Sequence, residues 1–367
     1  MNYQVLALKW RPKNFKEIVG QEHVSSAIIN AFEQMRFHNG YIFSGMRGVG
    51  KTTISRIFVK GLNCINGITS NPCSKCINCL EIDQGSFADF IEVDAASRTK
   101  IEDIRELLEN VQYTPIKGRF KIYLIDEIHM LSRHSFNALL KTLEEPPKHV
   151  KFLFATTEPQ KVPLTILSRC LKFNLKSLSI KQISNKIKLI LNNENIEYDK
   201  NAIQLIASSA DGSMRDALSF TDQAIILGQK KITYSIVTEM FGTINDDYSI
   251  IIIEALFRSD SFVIMEQIEQ VYSRGFDLDN LLLKILSQLH YISIMKLSSF
   301  DENDNLSTEW RLKQIAKNVL LEDLQLFYQI LLLGRKELIY APDVKIGIEM
   351  IFLRALNFFS KKSIKKN

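Results

Sequence analysis

Nine consecutive residues have the types and spacing of a loop that binds phosphate. The first eight match the pattern G-x-x-x-x-G-K-S/T, and Thr53 directly follows it. The nine residues are Gly45, Met46, Arg47, Gly48, Val49, Gly50, Lys51, Thr52 and Thr53. In such a loop the glycines let backbone N–H groups turn toward the phosphates, and the following helix N-terminus adds partial positive charge. We expect Lys51 to reach the β- and γ-phosphates and Thr52 to ligate Mg²⁺. A chance glycine turn is the alternative, which a second motif would disfavour.

Two carboxylates, Asp126 and Glu127, supply that second motif. They end the apolar run that starts at Phe120, which is typical of a buried parallel strand, and doubly wound sheets bind ligands at the carboxyl ends of their strands. Asp126 is expected to hold Mg²⁺ through water, and Glu127 to orient or deprotonate the attacking water. A strand followed by a solvated acidic turn is the alternative. Together the two motifs predict that the chain binds and hydrolyses a nucleoside triphosphate.

Four of the five cysteines crowd into one short segment with the spacing C-x8-C-x2-C-x2-C: Cys64, Cys73, Cys76 and Cys79. Four thiolates so spaced can hold one tetrahedral metal ion, and we expect a structural Zn²⁺. A reducing cytosol disfavours disulfides. An iron–sulfur cluster stays an alternative because C-x2-C-x2-C also opens bacterial ferredoxin runs, although the C-x3-C-P continuation is not found here.

The composition is that of a soluble globular protein. The chain has 367 residues, of which 46% are hydrophobic and 24% charged, so two or three domains are expected. Its apolar stretches are shorter than the ~18 residues that span a bilayer, and the N-terminus is unlike a secretory signal. These features favour a cytoplasmic protein with no membrane contact. A net charge of +5 does not by itself indicate nucleic-acid binding.

The order of secondary-structure elements predicts three domains. Strands alternate with helical stretches through the first part of the chain: Gly40–Ser44, Phe90–Asp94, Lys121–Asp126 and Lys151–Thr156. This alternation predicts a parallel sheet covered by helices over residues 1–178, with the zinc-binding insert near 62–82. Strand signals then stop, and short amphipathic helices, one of them at Met214–Leu227 with Ser213 as its N-cap, predict a domain over 179–242. Helical spacing alone continues over 243–367.

Further motifs lie along the whole chain: residues 5–12 with Phe15, Val19-Gly20-Gln21, Asp94-Ala95-Ala96-Ser97, residues 139–147, Ser168-Arg169-Cys170, residues 212–218 and residues 334–337. With the loop, the cysteines and the carboxylates, they resemble the gamma/tau subunits of bacterial DNA polymerase III in their short, gamma-like form. The resemblance implies an α/β AAA+ P-loop ATPase domain with an inserted zinc knuckle, a small helical lid domain, and an all-α C-terminal collar domain for oligomerisation. The family usually carries a basic residue where this chain has Leu8.

The resemblance also implies a function in DNA replication. Gamma/tau subunits are the ATP-hydrolysing motors of the clamp loader, which opens the ring-shaped sliding clamp (beta) and loads it onto primed DNA. The implied cofactors are ATP, Mg²⁺ and Zn²⁺. The implied partners are the delta and delta-prime subunits and further copies of the chain, within a holoenzyme that is a DNA-directed DNA polymerase and hence a nucleotidyltransferase. The tau domains that tether helicase and polymerase have no counterpart in this sequence, so no tethering is expected.

Three further residues receive roles from the resemblance alone. Thr157 matches the polar sensor of the γ-phosphate, Arg169 matches the arginine finger inserted into a neighbouring subunit's ATP site, and Arg215 matches the second sensor, on the lid. Arginine suits the last two roles because it binds phosphate oxygens bidentately as charge spreads over them. A surface ion pair is the alternative for either arginine.

Two other interpretations of the whole chain stay open. One is a different AAA+ DNA machine, such as a branch-migration or recombination helicase, and the other is a structural loader subunit that does not hydrolyse ATP. The cysteine spacing together with Ser168-Arg169-Cys170 disfavours the first, and the intact loop and carboxylates disfavour the second. Three basic residues are candidates for DNA phosphate contact, with a solvated face as the alternative: Arg98, Lys100 and Arg105.

Overall fold

The computed structural model describes residues 4–97, 107–241, 246–297 and 307–364. The chain divides into two compact units, residues 1–234 and 235–367. Arg98, Lys100 and Arg105, the candidates for DNA contact, lie outside the described residues. Among the helices that are described, none is long and apolar enough to cross a membrane.

A five-stranded, fully parallel sheet organises the first unit. Its strands are β1 Gly40–Ser44, β2 Phe90–Asp94, β3 Lys121–Asp126, β4 Val150–Thr156 and β5 Leu171–Asn174. They lie in the order β2-β3-β4-β1-β5. The four predicted strands are confirmed, with β4 one residue longer. Strand β5 was not predicted, because this short edge strand is mostly exposed and has no apolar run.

Successive side chains along the strands point to opposite faces of the sheet and pack into two separate cores, one on each face. In β3, Ile122 and Leu124 pack into the first core, whereas Tyr123 and Ile125 pack into the second. Strand β1 does the same with Phe43 and its neighbour Ile42. A sheet that is buried on both faces needs helices on both sides.

The helices of this part of the unit with described bounds are α1 Leu6–Lys9 and α2 Glu22–Glu33, which precede β1, and α3 Lys51–Asn63, α4 Ile77–Gln84, α5 Arg133–Glu144 and α6 Leu164–Leu167, which lie between strands. Helix α3 follows β1 directly after the phosphate loop, and its N-cap is Gly50 with φ 110°, a conformation that favours glycine. The four clustered cysteines lie between the end of α3 and the first turn of α4.

The predicted lid is helical, with one correction. Its helices are α7 Ile180–Asn193, α8 Lys200–Ser209 and α9 Met214–Leu227. Ser213 caps α9, as predicted, by accepting a hydrogen bond from the N–H of Asp216 at 3.2 Å. The expectation that strands stop before this region was wrong, because β6 Glu197–Tyr198 pairs in parallel with β7 Lys231–Ile232. Two-residue strands are too short to give an alternating pattern in the sequence.

The second unit is helical throughout its described residues. Its helices, of which α10 begins at the unit boundary, are α10 Tyr234–Met240, α11 Asp246–Arg258, α12 Ser261–Ser273, α13 Leu278–Leu297, α14 Ser307–Asn318, α15 Leu321–Glu337 and α16 Val344–Ile364. Helices α11 to α16 share one large apolar core that includes Leu282, Phe327 and Phe352. The predicted fold class is therefore confirmed: an α/β P-loop domain, a helical lid and an all-α C-terminal domain. The exact domain boundaries drawn from the sequence stay predictions.

Candidate nucleotide-binding site and metal centre

A cleft of ≈ 770 Å³ opens where the phosphate loop meets the ends of β2 and β3. Its wall combines the N-terminal segment, the loop, the strand ends and the lid, with lining residues that include Trp10, Arg11, Lys51, Thr52, Asp126, Glu127, Lys186 and Arg215. The two motifs that the sequence analysis paired are therefore adjacent in space. Arg11 lies in the N-terminal motif of residues 5–12 but was given no role in the site. Lys186 was missed, because a single basic residue outside a motif carries no signal of its own.

Glycines determine the conformation of the phosphate loop, and the start of lid helix α9 packs against the loop. Gly48 has φ 78°, and a Cβ added there would collide with the hydroxyl of Ser213 at the start of α9. Gly48 therefore serves both the turn of the loop and the close approach of the lid. Arg215, two residues beyond Ser213, is exposed and lines the same cleft.

Lys51 is buried at the base of the cleft. Its Nζ donates to the carbonyl oxygens of Gly45 at 2.9 Å and Met46 at 3.2 Å, and it lies 3.8 Å from Oε1 of Glu127. Burial lowers the pKa of Lys51, while the charges of Glu127 and Asp126 oppose that shift. The loop thus presents a desolvated cation, which polyphosphate would stabilise.

Thr52 and Asp126 bring two oxygen atoms to one point. The hydroxyl of Thr52 donates to Oδ2 of Asp126 at 3.0 Å. With Thr52 as a direct oxygen ligand, Asp126 lies near enough to hold Mg²⁺ through one of the water molecules that the ion usually keeps. The oxygen donors present are therefore of the type that Mg²⁺ requires.

Glu127 is held tightly at one of its two carboxylate oxygens. Oε2 accepts hydrogen bonds from the backbone N–H and the hydroxyl of Thr157, both at 3.0 Å. Oε2 also lies 3.3 Å from Nδ1 of His129. The backbone of Glu127 has φ 48°, a left-handed conformation that is uncommon for a non-glycine residue. The structure therefore brings Thr157 to Glu127, and it adds His129, which the sequence analysis missed.

The N-terminal segment is attached to the lid. The N–H of Leu6 donates to Oδ2 of Asp222 in α9 at 2.8 Å. Lys9 and the indole N–H of Trp10 donate to the carboxylate of Glu194 at 2.7 and 2.8 Å. The bond from Lys9 lowers the pKa of Glu194. These contacts fix the segment that forms one wall of the cleft.

Arg169 is not among the residues that line the cleft. Its guanidinium donates to Oε1 of Glu144 at 2.5 Å and to the carbonyl oxygen of Thr165 at 2.8 Å, and its side chain keeps 34% of its surface exposed. An accessible arginine outside its own cleft has the placement that action on a neighbouring subunit would require. The ion pair with Glu144 is also the alternative that the sequence analysis left open.

The four clustered cysteines converge on one point. Their sulfur atoms all lie within 4.8 Å of one another, and those of Cys64 and Cys73 are 3.5 Å apart. Tetrahedral Zn²⁺ with Zn–S bonds of about 2.3 Å separates its sulfur ligands by about 3.8 Å. Backbone N–H groups of Lys75 and Cys76 lower the pKa of Cys73 to about 6, whereas burial raises the pKa of Cys79, so a bound metal would have to displace the proton of Cys79. The cluster is therefore compatible with zinc.

The cysteine cluster is tied to helix α3 by a buried lysine. The side chain of Lys60 in α3 has 1% of its surface exposed, and its Nζ lies 3.0 Å from Oδ1 of Asp83 in α4. The same Nζ donates to the hydroxyl of Ser74 at 3.4 Å. A single helix thus carries the phosphate loop at its start and the first cysteine of the cluster at its end.

Sequence models of three protein families match consecutive parts of the chain. The model described as DNA polymerase III, delta subunit, matches residues 20–179. The model of the DNA polymerase III clamp loader subunit, ATPase lid domain, matches residues 182–230. The model of DNA polymerase III subunits gamma and tau, domain III, matches residues 232–366.

Individual relatives align over almost the whole chain. DNA polymerase III subunit tau of Escherichia coli K12 is 55% identical over 359 residues, which are 98% of this chain and 56% of that protein. Subunit tau/gamma of Haemophilus influenzae is 53% identical over 98% of this chain and 52% of its own length. Subunit gamma of Buchnera aphidicola subsp. Baizongia pistaciae is 48% identical over 98% of this chain and 99% of its own length. The chain thus spans little more than half of the first two relatives.

Proposed function

The chain belongs to the gamma/tau subunit family of DNA polymerase III, and we propose that it hydrolyses ATP to load a sliding clamp onto primed DNA. The observation that carries this proposal is the convergence of Lys51, Thr52, Asp126 and Glu127 at the base of one cleft. The match of residues 182–230 to a clamp loader ATPase lid supports the same conclusion. Relatives named as gamma and tau subunits support a place in DNA replication.

The chemistry follows from the position of each side chain. Lys51 binds the β- and γ-phosphates, since it is the buried cation at the base of the loop. Thr52 and Asp126 hold Mg²⁺, which when bound neutralises the charge on the β- and γ-oxygens. Glu127 orients and activates the attacking water through Oε1, because Oε2 is occupied by Thr157. Arg215 contacts the phosphates from the lid, and Thr157 senses the γ-phosphate through Glu127.

The proposed working state is an assembly. The family resemblance supports delta and delta-prime subunits and further copies of this chain as partners, with the sliding clamp and primed DNA as the loader's targets. Arg169 acts in trans, completing the site of the adjacent subunit. The four cysteines bind one structural Zn²⁺ per chain, which stabilises the segment between α3 and α4 without taking part in hydrolysis.

Turnover measurements test the proposed function. We expect weak ATP hydrolysis by the chain alone, because each site is completed at a subunit boundary. Assembly with delta and delta-prime, followed by addition of clamp and primer–template, should accelerate turnover. ATPase activity that ignores clamp and primer–template would favour another AAA+ DNA machine. A chain that binds ATP but never turns it over, even in the assembly, would instead be a structural loader subunit.

Replacement of Arg169 tests action in trans. An arginine finger contributes roughly 10³–10⁵-fold to turnover in phosphoryl transfer and little to ground-state binding. Arg169→Ala should leave ATP affinity of the isolated chain unchanged and sharply reduce DNA-stimulated turnover of the assembly. Mixed assemblies of Arg169→Ala and Lys51→Ala chains should recover part of the activity. The exposed Arg36 supplies a matched control, Arg36→Ala. Weaker ATP binding by the isolated Arg169→Ala chain would show action in cis.

A further inference from the structure

His129 lies between two carboxylates at the back of the proposed catalytic site. It belongs to the short 3-10 turn Ile128–Met130 that directly follows β3 and Glu127. Its side chain has 6% of its surface exposed. Nδ1 lies 3.3 Å from Oε2 of Glu127, and Nε2 lies 3.5 Å from Oε1 of Glu158. A buried imidazole in this position contacts the proposed water-activating group on one side and a surface carboxylate on the other.

Both ring nitrogens face oxygen atoms. Besides Glu127, Nδ1 lies 3.0 Å from the hydroxyl oxygen of Thr156, which in turn accepts a hydrogen bond from the N–H of Glu158 at 3.1 Å. The hydrogen bond of Nδ1 is therefore the one with Thr156, while the carboxylates of Glu127 and Glu158 lie at ion-pair distance on opposite sides of the ring. The ring orientation is fixed by these contacts on both sides.

The contacts of Glu127 are distributed unequally between its two carboxylate oxygens. The backbone N–H and hydroxyl of Thr157 donate to Oε2, and Nδ1 of His129 lies near the same oxygen, whereas Oε1 faces Lys51 in the cleft. Thr157 anchors Oε2 from the end of β4, and His129 approaches it from the turn that follows β3. Two anchors on different elements prevent the carboxylate from turning about its Oε2 contact. Oε1 stays directed toward the place where a water molecule attacks the γ-phosphate.

We propose that His129 is a positioning residue for Glu127, supported from behind by Glu158. The proposal rests on the proposed ATP hydrolysis and names a further residue on which its rate depends. His129 does not touch the nucleotide, since it is buried behind Glu127 and is not among the residues that line the cleft. Its contribution is to the orientation of Oε1, so it affects the chemical step and leaves ATP binding unchanged.

Glu158 extends this contact to the protein surface. Its carboxylate keeps 37% of its surface exposed and lies 2.9 Å from Nζ of Lys161. Glu158 directly precedes the turn Pro159–Lys161, which leads through α6 to Arg169. Two side chains, His129 and Glu158, therefore connect Glu127 to the first residues of the segment that carries the proposed arginine finger.

Two conservative variants separate positioning from a structural role. The amide of His129→Asn reaches the place of Nδ1, whereas the amide of His129→Gln reaches toward that of Nε2. The contact of Nδ1 with the charged carboxylate of Glu127 is the interaction removed, so kcat in the assembled loader should fall about 10-fold in His129→Gln. His129→Asn should retain most of the activity. The ATP dissociation constant and the thermal unfolding midpoint should match wild type in both variants.

The exposed His134 in α5 gives a matched control, and His134→Ala should behave as wild type. Glu158→Gln should lower kcat by about threefold and should have no further effect when combined with His129→Gln, because coupled residues are not additive. Equal kcat in His129→Gln and wild type, or full additivity with Glu158→Gln, would overturn the proposal. Wild-type turnover in the same assay isolates the proposed function: a wild-type assembly that does not hydrolyse ATP refutes the function itself, whereas wild-type turnover with unchanged kcat in His129→Gln refutes only the role of His129.

Discussion

The two ends of helix α3 carry two sites that differ in what they must permit. At the N-terminal end, Lys51 and Thr52 open onto a cleft of ≈ 770 Å³. At the C-terminal end, the cap residue Cys64 is buried in the four-cysteine cluster. One end must admit and release a ligand in every cycle, and the other has no need to open. Helix α3 thus separates a cleft where nucleotide exchanges from a cysteine cluster that stays closed.

The difference is visible in how the backbone groups of α3 are used. Near its C-terminus, Asn78 donates to the carbonyl oxygen of Asn63 at 2.9 Å, and Arg119 donates to that of Cys64 at 2.5 Å. Side chains therefore satisfy carbonyl groups that a helix end leaves open. The N-terminal end follows glycines and is available to anions, which helix N-termini favour. Hydrogen-bonded carbonyl groups stabilise the C-terminal end of α3, and backbone N–H groups at its N-terminal end are available to bind phosphate.

Removal of one thiol should have the largest effect, and it should stay at the C-terminal end. Cys73→Ser is expected to abolish zinc binding and to destabilise the segment between α3 and α4, since zinc-finger peptides gain ~10–16 kcal/mol from the metal. ATP affinity should change less than about threefold, as expected for independent sites. Metal analysis, thermal unfolding and nucleotide titration measure these outcomes. Cys170→Ser is the control, because Cys170 is a buried cysteine outside the cluster. Iron in place of zinc, or a matching loss of ATP binding, would contradict the comparison.

Removal of the loop cation should affect only the N-terminal end. Lys51→Ala is expected to lower turnover by an amount equivalent to about 3–4 kcal/mol, because a preorganised partner of the transition-state charge is lost. Zinc content should stay at the wild-type level. Steady-state turnover and metal analysis of the same preparation check both expectations, with the exposed Lys200 replaced in the control Lys200→Ala. Near wild-type turnover would refute the assignment of the phosphate loop.

The smallest expected effect tests whether the two ends communicate. Lys60→Met keeps the apolar stem but removes the ion pair between α3 and α4. The cost should be about 1–2 kcal/mol in the free energy of unfolding, since Asp83 can rehydrate; its side chain is 34% exposed. Urea unfolding should detect this cost, and zinc should be released faster to a chelator while turnover is unchanged. Reduced turnover would show that Lys60 transmits disturbance along the helix.

The sequence was sufficient for features that depend on local patterns. The loop from Gly45 to Thr53, the strand ending at Asp126 and the spacing of the four cysteines each place their side chains through residues close in the chain. Helix α9 and its cap Ser213 were likewise predictable, because a cap and an apolar periodicity are local signals. The parallel sheet followed from the alternation of strands and helices.

The remaining features depend on contacts between distant segments. The bond from Leu6 to Asp222, the ion pair of Arg169 with Glu144 and the position of His129 are decided only once the sheet has formed. Strand β5 was missed because an exposed edge strand needs no apolar run. Residue identity indicated the chemistry of the site, whereas three-dimensional packing determined which groups restrain Glu127.

The hydrogen bond between Leu6 and Asp222 has a consequence for how the protein is made. Translation delivers the N-terminal segment first, and its partner in α9 follows 216 residues later. A nascent chain can fold its early elements while the rest is still being synthesised, but the docking site of this segment, formed by Glu194 and Asp222, is complete only when Asp222 has left the ribosome. A chain that already contains the complete phosphate loop therefore still lacks part of the contacts that fix one wall of its cleft. We therefore expect tight nucleotide binding only when synthesis of the first unit is nearly finished.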